Sequence, residues 1–175
     1  MVINSTLFVC NGVVGPRAFD VTRRTVRYDA VSATWADVHP MQTGRGDAGF
    51  TATDGHIYVI GGHAEDKRVL SSVERYDVVA NRWTFVAPLP VSLRRSAVVC
   101  YEGQVFLFGG CTSIREIGTN AAFCYDPKSD LWSALPPMPT ERYRASACVG
   151  SDGWIYVIGT IKHVVKRAVD LFAAT

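Results

Sequence analysis

An all-β fold built from repeated four-stranded units, a propeller or a solenoid, is predicted by three observations. Apolar runs closed by a Gly pair or a worn version of one recur every 48 to 50 residues: Leu7-Phe8-Val9-Cys10-Asn11-Gly12, Ile57-Tyr58-Val59-Ile60-Gly61-Gly62, Val105-Phe106-Leu107-Phe108-Gly109-Gly110 and Ile155-Tyr156-Val157-Ile158-Gly159-Thr160. Tyr28, Tyr76 and Tyr125 are each followed seven positions later by a tryptophan, Trp35, Trp83 and Trp132. Turn dipeptides, Asp54-Gly55, Glu102-Gly103 and Asp152-Gly153, stand before three of the apolar runs. Self-similarity at this period marks a supersecondary unit that cannot bury its apolar face alone and stacks on copies of itself.

Each unit reads as four short strands. A small-residue run comes first (Ala48 to Ala52, Ser96 to Cys100, Ala145 to Val149), suited to a strand crowded against its copies around an axis. The turn dipeptide makes a tight hairpin into the apolar run, which is rich in β-branched and aromatic residues. After the Gly pair comes a loop of variable length, then a third strand such as Ser72 to Asp77. Asp77 to Asn81 and Asp126 to Asp130 form the next turn, the latter with φ fixed by Pro127. A fourth strand carries the tryptophan and ends at Pro88-Leu89-Pro90 or Pro136-Pro137-Met138-Pro139. Short antiparallel strands in fours describe a propeller blade.

Composition bounds the rest. The chain has 175 residues, 48% of them apolar, and a formal charge of +2 from 18 basic and 16 acidic side chains spread along its length. That distribution implies no basic field for nucleic acid, and no apolar run nears the roughly 20 residues that span a bilayer. The opening Met1-Val2-Ile3-Asn4-Ser5 lacks the basic and apolar regions of a secretory signal. Five cysteines, an odd number without a C-x-x-C pair, suggest a reducing, cytoplasmic setting. Cys10, Cys100, Cys124 and Cys148 read as small buried hydrophobes, and Cys111, beside Gly109-Gly110, as a loop thiol worth testing for reactivity.

These residues resemble the kelch family over essentially the whole chain: the turn before the second strand, the paired Gly, the Tyr-Asp step, the tryptophan seven later, and the exit Met138-Pro139-Thr140-Glu141-Arg142. Met41-Gln42-Thr43-Gly44-Arg45 repeats that exit without its proline, and Leu89-Pro90-Val91-Ser92-Leu93-Arg94 reads as one residue longer. The resemblance implies a partial kelch β-propeller of about three and a half antiparallel blades: a partial blade at 1–45, blades at 46–95 and 95–144, and a partial blade at 145–175, beginning at a second strand and ending near a third. Gly61, Gly62, Gly109, Gly110, Tyr28, Tyr76, Tyr125, Trp35, Trp83 and Trp132 are its structural positions, the glycines for backbone geometry and the aromatics for packing between blades. A closed kelch ring needs about five to seven blades. A little over half a ring is expected to be a fragment, to pair with a second copy through open blade edges, or to stand as an open crescent.

No catalytic constellation emerges. His39, His56, His63 and His163 are spread over three repeats without G-x-S-x-G or H-E-x-x-H spacing, and Gly12-Val13-Val14-Gly15-Pro16 is no phosphate loop. No metal site and no cofactor is predicted. The functional surface should be the loops of one face. One class follows the Gly pairs and offers His63, Lys67, Arg68, Ser113, Arg115 and His163; the other leads into each inner strand and offers Arg45, Arg95 and Arg144. Those arginines have two readings: bidentate partners for an acidic or phosphorylated peptide, or loop caps packing their stems on neighbouring blades. Arg95 and Arg144, each directly before an inner strand, fit the first reading, and Arg94 and Arg142 the second.

Three functions follow. The leading one, implied by the resemblance, is a protein-interaction module like the substrate-recognition propeller of kelch-like adaptors of cullin-type E3 ubiquitin ligases; cullin contact would require BTB and BACK domains. The alternative is binding to actin and the cytoskeleton. The third is a propeller enzyme of the galactose oxidase type, disfavoured because Tyr125 beside Cys124 is a framework residue. Neither nucleic acid nor membrane is expected as a partner.

Overall fold

The computed structural model describes residues 2–3, 6–10, 12–14, 20–115, 117–161 and 164–173. Its regular structure is antiparallel sheet, and no helix is long and apolar enough to cross a membrane among the described residues. The first sheet holds β1 (Val2–Ile3), β2 (Thr6–Cys10), β3 (Thr25–Asp29) and β4 (Thr34–Val38) in chain order. The second holds β5 (Gly49–Thr53), β6 (His56–Ile60), β7 (Val73–Asp77) and β8 (Arg82–Val86). The third holds β9 (Ala97–Tyr101), β10 (Gln104–Phe108), β11 (Ala122–Asp126) and β12 (Leu131–Leu135). The last holds three strands, β13 (Ser146–Val149), β14 (Trp154–Ile161) and β15 (Val164–Ala173). The expectation that the chain opens at a second strand is corrected: β1 pairs with β2, Val2 opposite Leu7 and Ile3 opposite Thr6.

The sheets follow one another about an axis without closing a ring, with the innermost strand β9 in contact with both β5 and β13. Small side chains make that approach possible, as their runs predict. Apolar clusters fill the spaces between sheets: Phe8 and Met41 with Ile57, Val59, Tyr76 and Trp83; then Tyr58, Ile60 and Leu93 with Val105, Leu107 and Tyr125. A third joins Phe106, Phe108 and Met138 to Ile155 and Val157.

The aromatic repeat has a geometric cause. Tyr28 and Trp35, Tyr76 and Trp83, and Tyr125 and Trp132 are cross-strand partners, with ring centroids 5.1 Å apart in all three pairs. Trp83 Nε1 donates to the His39 carbonyl of the preceding sheet, and Trp132 Nε1 to that of Ala87, both at 2.9 Å. The turn residue between them completes the joint. Asn81 Oδ1 accepts from His39 N and from the Tyr76 hydroxyl, while Asp130 Oδ1 accepts from Ala87 N and from the Tyr125 hydroxyl. Both turn residues are left-handed, at φ 50° and 55°. In the first sheet that position is Ala33, also left-handed at φ 54° but without an acceptor, and Trp35, expected to pack between blades, is 53% exposed. Trp83 is 2% exposed, so the difference is the preceding sheet against which Trp83 rests.

A second joint lies in the straps that lead from one sheet to the next. Gly12 N donates to the Arg45 carbonyl, Gly62 N to Leu93 and Gly110 N to Arg142, at 3.1, 2.8 and 2.7 Å. Arg45, Leu93 and Arg142 are therefore the equivalent residues, which corrects the reading that the middle strap carries an extra residue: leucine has replaced arginine. At Gly61 and Gly109, φ is +61° and +62° and a Cβ would collide with the Leu93 and Arg142 carbonyl oxygens, which explains the glycines.

The Arg45 guanidinium reaches the next sheet, donating to the carbonyls of Gly61 (2.8 Å) and Ser72 (2.9 Å) and pairing with Glu74 at 2.8 Å, both side chains fully buried. Glu74 also accepts from Gln42 N and Thr43 N. Burial lowers the Arg45 pKa and the Glu74 carboxylate opposes that shift. Arg142 repeats the reach, donating to the Gly159 carbonyl at 3.1 Å. In the middle strap four residues change together. Pro90, which has no N–H, stands for Gln42; Leu93 for Arg45; Phe123 for Glu74; and Ser96, whose hydroxyl donates to the Gly109 carbonyl at 3.0 Å, for Ala48. Leu93 and Phe123 lie in one apolar cluster, so this chain holds both an ionic and an apolar form of one joint.

Three of the cysteines fit partial burial, and burial pushes the Cys10 thiol up to about 11. Two depart from expectation. Cys148 is exposed because its residue alternates outward on β13, and Cys111 is fully buried because its backbone bridges to Arg94. Cys111 is thus no loop thiol.

Two stability predictions follow from these joints. Ala33→Asn supplies a residue that tolerates left-handed φ and an acceptor for Tyr28; we expect a gain of about 1 kcal/mol, read as a Tm rise of roughly 2–4 °C, with Ala33→Gly giving less. A fall in Tm for Ala33→Asn would contradict the geometry. Arg45→Leu alone strands Glu74 and should cost about 3–5 kcal/mol, whereas the fourfold change Gln42→Pro, Arg45→Leu, Ala48→Ser, Glu74→Phe should recover at least half of that loss in urea titrations. A fourfold variant no better than Arg45→Leu would show that the two forms of the joint are not interchangeable.

Candidate functional site

At the loop face, the residue two after each strap carbonyl enters the inner strand, and it is left-handed each time: Asp47 at φ 53°, Arg95 at 58° and Arg144 at 53°. Their backbones form a ladder across three sheets. Arg95 N donates to the Asp47 carbonyl at 2.8 Å and Arg144 N to the Arg95 carbonyl at 2.9 Å. This ladder brings one carboxylate and two guanidinium side chains to the rim of one open cleft of ≈ 390 Å³, whose remaining lining is Ala48, Ser96 and Ala145. Beneath it, a smaller cavity of ≈ 250 Å³ runs between β5, β9 and β13 and is lined largely by alanine, serine and glycine. Small residues there leave room for an extended ligand backbone, and arginines above supply directional donors.

Asp47 organises the charges. Its Oδ2 accepts from Arg94 NH1 at 2.7 Å and from Arg95 Nε at 2.8 Å, and lies 3.6 Å from His63 Nε2. Arg94 is buried, and its Nε and NH2 donate to the carbonyls of Ser113 and Ile114 at 3.3 and 3.0 Å, tying the loop after Gly109-Gly110 to the strap. Arg95 is half-buried and Arg144 exposed.

The sequence-selected residues separate into three groups. Arg95 and Arg144 meet at the cleft. Arg45 and His63 were expected at the binding face and are instead buried, at 0% and 1% exposure: Arg45 is consumed in the joint with Glu74, and His63 sits under Gly46, bridged to it by backbone. Lys67, Arg68 and Arg115 are exposed on the longer loops and do not line the cleft; Arg68 lies 3.4 Å from Asp66 on the surface, and Ser113 uses its hydroxyl to accept from Arg115 N. His163 lies outside the described residues. Sequence reasoning missed Asp47, whose repeat position is the signal: it is the residue in register with Arg95 and Arg144. It also missed Ser96. Among the described residues no group of three or more His, Cys, Asp or Glu is placed to hold a metal.

The fold and these joints agree with what the chain is similar to. The KLHDC2/KLHL20/DRC7 kelch-repeats domain matches residues 1–173. Kelch-like protein 35 of Mus musculus is 36% identical over 157 residues, a stretch that covers 90% of this chain and 18% of that protein. Repeated sheets, paired glycines, the tyrosine–tryptophan partners and this match over nearly every residue lead to one conclusion: the chain belongs to the kelch-repeat family, as part of a β-propeller.

Proposed function

We propose that this chain is a protein-interaction module whose cleft between β5, β9 and β13 binds an extended acidic or phosphorylated peptide, serving as the substrate-recognition propeller of a cullin-type E3 ubiquitin ligase adaptor. The observation that carries the reading is the ladder of Asp47, Arg95 and Arg144, which sets two guanidinium groups at the mouth of a channel of small residues. Family membership and the likeness to a kelch-like protein support an interaction role over catalysis, since kelch-repeat domains are generally interaction modules. Recruitment of a cullin would be the task of BTB and BACK domains in the same polypeptide.

Arginine suits the task because its planar fork meets carboxylate or phosphate with two hydrogen bonds at once. In an open cleft part of that gain is screened, so binding should weaken as salt rises. Fluorescence anisotropy with acidic and basic peptide pools tests the reading: the acidic pool should bind, and Arg95→Ala with Arg144→Ala should weaken it at least tenfold, about 1.4 kcal/mol. Equal binding of both pools, or no loss in the double variant, would count against it.

A further inference from the structure

Asp47 is an anomaly at the rim. In the two following sheets the equivalent residue is an arginine, yet here a carboxylate is held left-handed by the same strap and turned onto its neighbours. It already occupies the guanidinium groups of Arg94 and Arg95, at 2.7 and 2.8 Å. Arg144 lines the same cleft as Asp47 and Arg95.

We propose that Asp47 is an internal competitor that sets the ligand's charge: it lets the cleft discriminate a peptide phosphomonoester from a peptide carboxylate. The inference rests on the peptide-binding reading above. A single ligand carboxylate approaching Arg95 offers what Asp47 already offers, and Asp47 is tethered at high effective concentration. Exchanging one for the other gains little. A phosphate ester carries nearly two negative charges and three acceptor oxygens, so it can share Arg95 with Asp47 while also engaging Arg144. Arg94 stays with Asp47 and the Ser113 and Ile114 carbonyls, which keeps the neighbouring loop in place during exchange. Ser96, which lines the same cleft, has its hydroxyl committed to the Gly109 carbonyl. The partner is thus a segment with a phosphorylated serine or threonine flanked by small residues that fit the channel.

The test uses the full chain and three degenerate nonapeptide pools of Gly, Ala and Ser, alike except for a central Ala, Glu or phosphoserine. The wild-type protein should bind the phosphoserine pool at least tenfold more tightly than the Glu pool. Asp47→Asn, which keeps the left-handed backbone and one acceptor oxygen, should tighten the Glu pool and narrow that ratio below about threefold, with the Ala pool still unbound. Asp47→Gly, compatible with the same φ, provides a second uncharged variant should the first fold poorly. Equal wild-type binding of Glu and phosphoserine, both lost in Arg144→Ala, would overturn the role of Asp47 and leave the peptide-binding function standing. An unchanged ratio in both Asp47 variants would do the same. Failure of every pool to bind in an Arg144-dependent way would overturn both.

Discussion

The strap between sheets carries a single backbone carbonyl that caps the glycine of the sheet behind, while its side chain reaches into the sheet ahead. Gly12, Gly62 and Gly110 all donate to such a carbonyl, and Arg45 and Arg142 donate onward to Gly61 and Gly159. Because one residue serves two sheets, the angle between them is set locally and repeated. The ladder from Asp47 through Arg95 to Arg144 is a direct result: it begins two residues beyond each carbonyl, so fixing the strap fixes the rim. The tryptophan joint acts on the other end of the strap, at His39 and Ala87, where an indole N–H holds the carbonyl and an asparagine or aspartate oxygen holds the N–H of the same residue. Function at the loop face therefore depends on a buried structure that contacts no ligand.

That division explains how arginines so close in sequence take opposite roles. Arg94 and Arg95 are adjacent, yet the first points into the loop after Gly110 and the second lines the cleft, because the left-handed φ at Arg95 turns the chain between them. Arg142 and Arg144 divide in the same way: Arg142 is fully buried and Arg144 exposed. A buried arginine here is a constraint of assembly, and the middle strap proves it dispensable by replacing the pair with Leu93 and Phe123. A buried ion pair and well-packed apolar residues are often near-equivalent in stability, so drift between them within one chain is physically reasonable.

Much of the fold could be read from the chain because its signals are local and periodic. Four apolar runs, three turn dipeptides and three tyrosine–tryptophan pairs each correspond to a strand, a hairpin or a cross-strand contact. The two-residue β1 escaped because Val2-Ile3 is too short to show alternation. The site was less legible. Burial of Arg45 follows from Glu74, 29 residues later, and no local pattern links the two. Likewise the middle strap looked longer because its arginine stood one place late; only the carbonyl accepting from Gly62 shows that Leu93 is the counterpart. Exposure of Trp35 and burial of Cys111 depend on what lies across the sheet interface, which periodicity alone does not report.

The straps, by backbone hydrogen bonds between sheets, build the rim. Amide hydrogen exchange measures this most directly, because it reads the individual donors. Gly62, Gly110, Arg95 and Arg144 should exchange as slowly as the buried residues of β6 and β10, although all four lie outside the regular strands. Exchange of these four amides at the rate of an exposed loop residue such as Asp66 would overturn that role of the straps.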